Sequence, residues 1–230
     1  TINAVICFAE IRLPAVFSDN MVLQQQSNVT IWGWSSPGEN IFITTSWNNH
    51  TDSVKATASA SWKLSVATPA AGGPYTITLK AGNTVVLKNV LIGEVWVCSG
   101  QSNMQWSSLN GLPEMDRELP NSANPNIRLF QIPQTTSAYP QDNCAGTWQE
   151  CTADNLKSFS AVAYFFGNKL QAQLNVPIGL INTSWGGTPA EVWTPREAIE
   201  SSPILKSAAD QQVRNDWWPV EPGATYNAMI

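Results

Sequence analysis

The sequence predicts two successive architectures. A strand-rich module of β-sandwich or jelly-roll type is expected over residues 1–92, followed by an α/β domain with a parallel sheet over 93–230. Three observations carry this. Up to about residue 93, short β-branched and aromatic runs are separated by turn residues. Beyond it, apolar strand patterns alternate with a helical repeat. Charged residues make up only 13% of the 230, about half the roughly 25% of an average domain. Tryptophan is abundant, with 11 copies, a composition suited to strand packing and sugar-facing surfaces.

In order, strand patterns fall at residues 11–13, 21–23 and 29–34, the last alternating apolar and polar positions. Pro37-Gly38 turns the chain into 40–47, and 54–59, 62–68, 75–80 and 84–90 continue the series through a Gly72-Gly73-Pro74 turn. After Gly93 the rhythm changes. Residues 94–98 read as a strand, a helix opens at Ser102, and 127–132 is a second strand. The clearest helix is 158–175, with Val162, Phe166, Leu170 and Leu174 at four-residue spacing along one face. Pro177 follows it, then an apolar strand over 178–182 and a helix opened by Pro195.

Several function classes are excluded or constrained early. The net charge is −5 with no basic run, so nucleic acid is not an expected partner. No apolar stretch is long enough to span a bilayer. The segment Ala4-Val5-Ile6-Cys7-Phe8-Ala9 reads either as the end of a signal core or as an edge strand. Sequons at Asn28, Asn49 and Asn182 agree with the signal reading. Asn28 and Asn49 are expected glycosylation sites, and Asn182, at the end of a buried strand, is not. Cys144 and Cys151 flank a short Gly-containing loop and are expected to pair as a disulfide. Cys98, inside an apolar strand, reads as a buried free thiol. No His/Cys spacing supports a metal site.

The chemistry concentrates at two strand ends. Val95-Trp96-Val97-Cys98 runs into Ser99-Gly100-Gln101-Ser102-Asn103-Met104. A serine just past a buried strand, with glycine before it, presents a hydroxyl at the place where parallel sheets bind ligands. Met104 stands where the nucleophile elbow of an α/β-hydrolase has its second glycine, so Ser102 would belong to another serine-hydrolase architecture. At the end of strand 178–182, Ser184-Trp185-Gly186-Gly187-Thr188 offers two backbone N–H groups unblocked by side chains. Gly186 and Gly187 read as an oxyanion hole beside Ser102, or simply as the turn into the next helix. Gln101, Asn103, Trp185, Thr188 and Glu191 are the expected substrate-binding residues. Trp185 and Trp193 also fit a core role, and Glu191 fits a solvated first turn.

A serine esterase needs a base, and the single histidine, His50, lies in a turn of the strand-rich half, where it reads as solvated. The chain is therefore expected to be a fragment, inactive alone. A companion segment after Ile230, or a second subunit, would supply the base.

These residues resemble the sialate O-acetylesterase family of SGNH-type carbohydrate esterases. The match rests on residues 13–24, on Trp32-Gly33-Trp34 with Pro37-Gly38-Glu39, and on 93–104. It continues through Ile178-Gly179-Leu180-Ile181, Ser184-Trp185-Gly186-Gly187-Thr188-Pro189, and Tyr226-Asn227-Ala228-Met229-Ile230. The resemblance implies a lysosomal or secreted glycoprotein that removes acetyl groups from O-acetylated sialic acids or sialoglycans without a metal or organic cofactor. It makes Ser102 the nucleophile, with its own amide and a Gly186-Gly187 amide as oxyanion donors. The family's histidine-proline and Asp-x-x-His pair are not among these residues. Two other readings stand beside it: an esterase of acetylated polysaccharide such as acetylxylan, and a carbohydrate-binding module built on the strand-rich half and its tryptophans.

Overall fold

The computed structural model describes residues 10–213 and 216–230. The expected leader at 4–9, with Cys7, lies outside them. The fold is mixed α/β and divides into two compact units, Thr1–Glu94 and Val95–Ile230.

The described part of the N-terminal unit is built from strands. These are β1 (Val22–Gln24), β2 (Asn28–Trp34), β3 (Asn40–Thr45), β4 (Thr51–Lys55), β5 (Ser61–Ala67), β6 (Gly72–Lys80) and the start of β7 (Thr84–Gly100). Strands β4, β3, β6 and β7 are successive neighbours in one sheet, and β1 pairs in parallel with β7. Strands β2 and β5 form a separate antiparallel pair. Alternation sets the core, because side chains two apart share a face. Ile41 and Ile43 on β3 and Ile77 and Leu79 on β6 are fully buried, while Phe42 between the two isoleucines is exposed. His50 is solvent-exposed and its Nε2 lies 3.1 Å from Asp52 Oδ1. Asn28 and Asn49 are also exposed.

One expected break is absent. Residues 84–90 and 94–98 are a single strand, β7, because Gly93 stays in register opposite Gln24 rather than turning the chain.

In the C-terminal unit the last part of β7 neighbours β10 (Ile178–Ser184), followed by β8 (Asn124–Gln131) and β9 (Trp148–Cys151). Strands β8 and β10 are parallel, and β9 is antiparallel to β8. Six of the seven residues of β10 are buried, as expected for a central strand covered on both faces. The helices are α1 (Ser102–Gln105), α2 (Pro113–Glu118), α3 (Ala153–Leu156), α4 (Ala161–Leu174), α5 (Arg196–Glu200), α6 (Pro203–Asp210) and α7 (Ala224–Met229). No helix among the described residues is long and apolar enough to cross a membrane.

Helix α4 exists where the periodicity puts it, capped by Ser160 and closed by Asn175 in the left-handed conformation. Of the predicted inward face, Leu170 packs against the core and the other three residues do not. Val162, Phe166 and Leu174 are exposed, and Ala163, Tyr164 and Gly167 face the core. The cause is close packing: a Cβ at Gly167 would come within 2.6 Å of Leu180 Cδ1 on β10. Small residues let the helix approach the sheet on this face, which leaves Val162, Phe166 and Leu174 outside.

The expected Cys144–Cys151 disulfide is not formed; both thiols are free. Cys151 ends β9 pointing into the core, where its Sγ donates to Ser122 O at 3.3 Å. Burial, with the Glu118 carboxylate nearby, pushes its pKa to about 12. Cys98 is a buried free thiol as expected, its pKa raised to about 11 by desolvation.

Candidate active site

The end of β7 creates the first half of the site. Gly100 takes a φ of +150°, which a side chain would resist, and the chain turns directly into α1. Ser102 is the first residue of that short helix, half-buried and accessible. Gln101 caps the turn. Its Oε1 accepts from Ser102 N at 3.3 Å and from Ser102 Oγ at 3.0 Å. A carboxamide oxygen holds the hydroxyl but is too weak a base to take its proton.

The end of β10 brings the second half to the same spot. Trp185 N donates to Gly100 O at 3.0 Å, joining the two strand ends. Gly186 N donates to Gln105 Oε1, on the first turn of α1. Gly186 also has Ser102 directly beside it: a Cβ there would stand 3.4 Å from Ser102 Cα and Cβ. The serine and the glycine pair thus lie on one sheet edge, at neighbouring strands.

The two glycines differ in what their amides can do. The Gly186 N–H is already engaged by Gln105. The Gly187 N–H has no hydrogen-bond partner among the described residues, and Gly187 is exposed. Gly187, at φ +83°, therefore leaves its N–H unengaged, while the Gly186 N–H ties the turn to α1.

Thr188 departs from its expected role. Its hydroxyl is buried, donating to Trp185 O at 2.7 Å and accepting from Trp193 Nε1 at 2.8 Å. It closes the glycine turn instead of facing substrate, and Trp193 is spent on the same lock. Trp185 is half-buried, and Gln101 and Asn103 are exposed. Glu191 is half-buried in a short 3-10 segment, where its backbone oxygen accepts from Gly223 N at 3.0 Å.

Beside this edge is a cavity of about 390 Å³, lined among others by Gln105, Ser107, Asn110, Gln131, Asn182 and Ser184. It sits at the carboxyl ends of β8 and β10, where α/β sheets receive ligands. Its wall is a relay of neutral groups: Ser184 Oγ donates to Asn182 Oδ1 at 2.9 Å, and Asn182 Nδ2 donates to Gln131 Oε1 at 2.8 Å. Asn182 is 2% exposed, which fits the expectation that this sequon carries no glycan. No charged side chain lines the cavity.

Two contributors escaped the sequence reading. Gln105 stands three positions after Ser102, the spacing that puts both on one helical turn. Trp218 packs on Gly187, and its only sequence signal is the Trp217-Trp218 pair. The described residues hold no group of three or more His, Cys, Asp or Glu able to bind a metal ion.

A hydroxyl beside a turn with a free amide is the geometry that nucleophilic acyl transfer needs. Comparison with known proteins gives the same class. The family model for "carbohydrate esterase, sialic acid-specific acetylesterase" matches residues 92–216. The chain is 32% identical to rat (Rattus norvegicus) sialate O-acetylesterase over 230 residues, 92% of this chain and 42% of that protein. It is 32% identical to the human enzyme of the same name over 238 residues, 95% of this chain and 45% of that one. The crystal structure of a carbohydrate acetylesterase from Xanthomonas citri superposes with a TM-score of 0.84 at 32% identity, covering 96% of this chain and 48% of that one. The chain belongs to the sialic acid-specific acetylesterase family of carbohydrate esterases. It spans less than half the length of these curated relatives.

Proposed function

We propose that the full-length polypeptide carrying this chain is a serine esterase that releases acetate from O-acetylated sialic acids or sialoglycans. The observation that carries this is the contact of Ser102 with the Gly186-Gly187 turn. Ser102 Oγ loses its proton to a base and attacks the acetyl carbonyl. The Gly187 and Ser102 amides hold the oxyanion, the latter once Gln101 has swung away. The C–O bond to the sugar breaks, the sugar oxygen takes the proton from the base, and water then hydrolyses the acetyl-serine to acetate. We assign the base to a companion segment or second subunit, because the single histidine, His50, lies solvent-exposed in a turn of the strand-rich unit. The site unit is of SGNH type, and the N-terminal unit is a β-sandwich-like module. The exposed sequons at Asn28 and Asn49 support a glycosylated, lysosomal or secreted protein.

A second reading, an esterase of acetylated polysaccharide, is favoured by the likeness to the Xanthomonas citri acetylesterase. Acetate release from acetylated sialic acid and from acetylxylan by the full-length protein separates the two. Preference for the sialic acid ester, lost in Ser102→Ala, is the expected result. Release undiminished in that variant refutes the serine mechanism.

A further inference from the structure

The indole of Trp218 lies against the glycine proposed to hold the oxyanion. A Cβ built on Gly187 would come within 2.6 Å of Trp218 Cε3, 2.9 Å of Cζ3 and 3.0 Å of Cδ2. The benzenoid ring therefore sits directly over the Gly187 Cα. Ser102 lies against Gly186 and Trp218 against Gly187, so nucleophile and indole flank the same two-residue turn.

The placement of this ring is built into the fold. Residues 190–193, which follow the glycine turn, are tied to the chain after Trp218 by two bonds. Gly223 N donates to Glu191 O at 3.0 Å, and the buried Thr225 Oγ1 donates to Val192 O at 2.7 Å. These bonds fasten the start of α7 under the turn and hold the segment with Trp218 close to it. Despite its packing on Gly187, Trp218 keeps 37% of its surface exposed, and its neighbour Trp217 keeps 81%. A large aromatic residue that only filled a core would not stay this open.

We infer that Trp218 is the aromatic wall on which the pyranose ring of the acetylated sugar rests while its ester enters the site. The inference rests on the esterase reading above. Aromatic rings supply large, rigid, apolar contact area, and binding sites for small molecules are lined by such faces with a few polar groups to orient the ligand. The neutral cavity beside Gln105 and Asn182 provides polar groups, but no aromatic side chain lines it. Trp218 provides the missing face. It lies just beyond the stretch 92–216 that the family model matches, so it is a contact that the match does not assign. Glycine at 187 is then required twice, for its φ of +83° and for the approach of the ring.

The test compares wild type, Trp218→Ala and Trp218→Phe in the full-length protein, with acetate release measured from an O-acetylated sialic acid and from ethyl acetate, which has no ring. The ratio of kcat/KM for the sugar ester to that for ethyl acetate is expected to fall about tenfold in Trp218→Ala, a difference near 1.4 kcal/mol, mostly through KM. Trp218→Phe is expected to restore most of it. An unchanged ratio, whether both esters are hydrolysed normally or both lose equally, overturns the assignment. A second readout does not need turnover. In Ser102→Ala protein carrying 5-fluorotryptophan, the Trp218 resonance, identified by its loss in a Trp218→Phe background, should shift on adding the sugar ester and stay still with ethyl acetate. A resonance unmoved by the sugar ester also overturns it. Failure of the esterase reading looks different: wild type would release acetate from neither ester.

Discussion

Gly186 stands so close to Ser102 that a Cβ on the glycine would lie 3.4 Å from the serine's Cα and Cβ, and 2.8 Å from Gln105 Oε1. The glycine pair is therefore part of the serine's own wall. Gly186→Ala would push aside the flexible end of Gln105 and break its bond to the 186 amide. The fold should survive, because only a side-chain end must move. Acetate release by the full-length protein should fall at least about tenfold, since a misplaced oxyanion donor costs on the order of 100-fold or more when lost altogether. Wild-type turnover with a shifted Gln105 would separate the turn from the chemistry.

Gly187→Ala should behave differently. The new Cβ meets the rigid Trp218 ring, and the residue must hold φ +83°. Backbone strain of this kind costs about 1–3 kcal/mol, and expelling the indole adds to it. Calorimetry should show Tm lowered by several degrees, at about 2–4 °C per kcal/mol for a chain of this size. Gly186→Ala should show much less. Equal destabilisation by both variants would contradict the distinction drawn between them.

The thiols give a prediction independent of catalysis. Burial raises the pKa of Cys98 to about 11 and of Cys151 to about 12, and raises that of Cys144 as well. Thiolate is the reactive form. Alkylation of native protein at pH 7.5, read residue by residue by mass spectrometry, should leave Cys98 and Cys151 unmodified. Unfolding in guanidinium without reductant should expose Cys98, Cys144 and Cys151 to label. Protection of Cys144 and Cys151 until reductant is added would mean that they are bonded.

Stability should fall at alkaline pH. Tyr164 is buried and donates to Glu118 Oε1 at 2.7 Å. Desolvation first, and the carboxylate second, raise its pKa above the ordinary 10. A raised folded pKa keeps its full contribution below the unfolded value and loses it as pH climbs toward the folded one. Cys98 and Cys151 act the same way from their ordinary value of 9. Denaturant stability should be flat from about pH 7 to 8.5 and decline above about 9, at roughly 1.4 kcal/mol per pH unit for each group ionised only when unfolded. Tyr164→Phe should lose about 1–3 kcal/mol at neutral pH with its charged hydrogen bond and decline less steeply above pH 10. An identical slope in the variant would remove Tyr164 from this account.

Much of the site was legible because its elements are local. The run from Val95 to Cys98 followed by Gly100 and Ser102, and the run from Ile178 to Asn182 followed by Gly186-Gly187, each announce a strand end and a turn. Parallel-sheet topology then brings such ends together. What escaped depends on contacts between distant residues. The face of α4 was misjudged because large residues at four-residue spacing outweigh small ones in any periodic pattern, whereas the approach of Gly167 to Leu180 decides which side packs. Thr188 looked like a substrate ligand because a hydroxyl after two glycines reads as free. Its partners, Trp185 O and Trp193 Nε1, appear only once the turn has folded. Trp218 is 31 positions from Gly187, and nothing local ties them.

The most direct test is a crystal structure of the full-length protein after reaction with a fluorophosphonate. The expected result is a covalent bond to Ser102 Oγ, with the phosphoryl oxygen within hydrogen-bond reach of the Gly187 amide and Gln101 displaced from the hydroxyl. An adduct on another residue, or a phosphoryl oxygen directed away from the Gly186-Gly187 turn, would contradict a site made by these two strand ends.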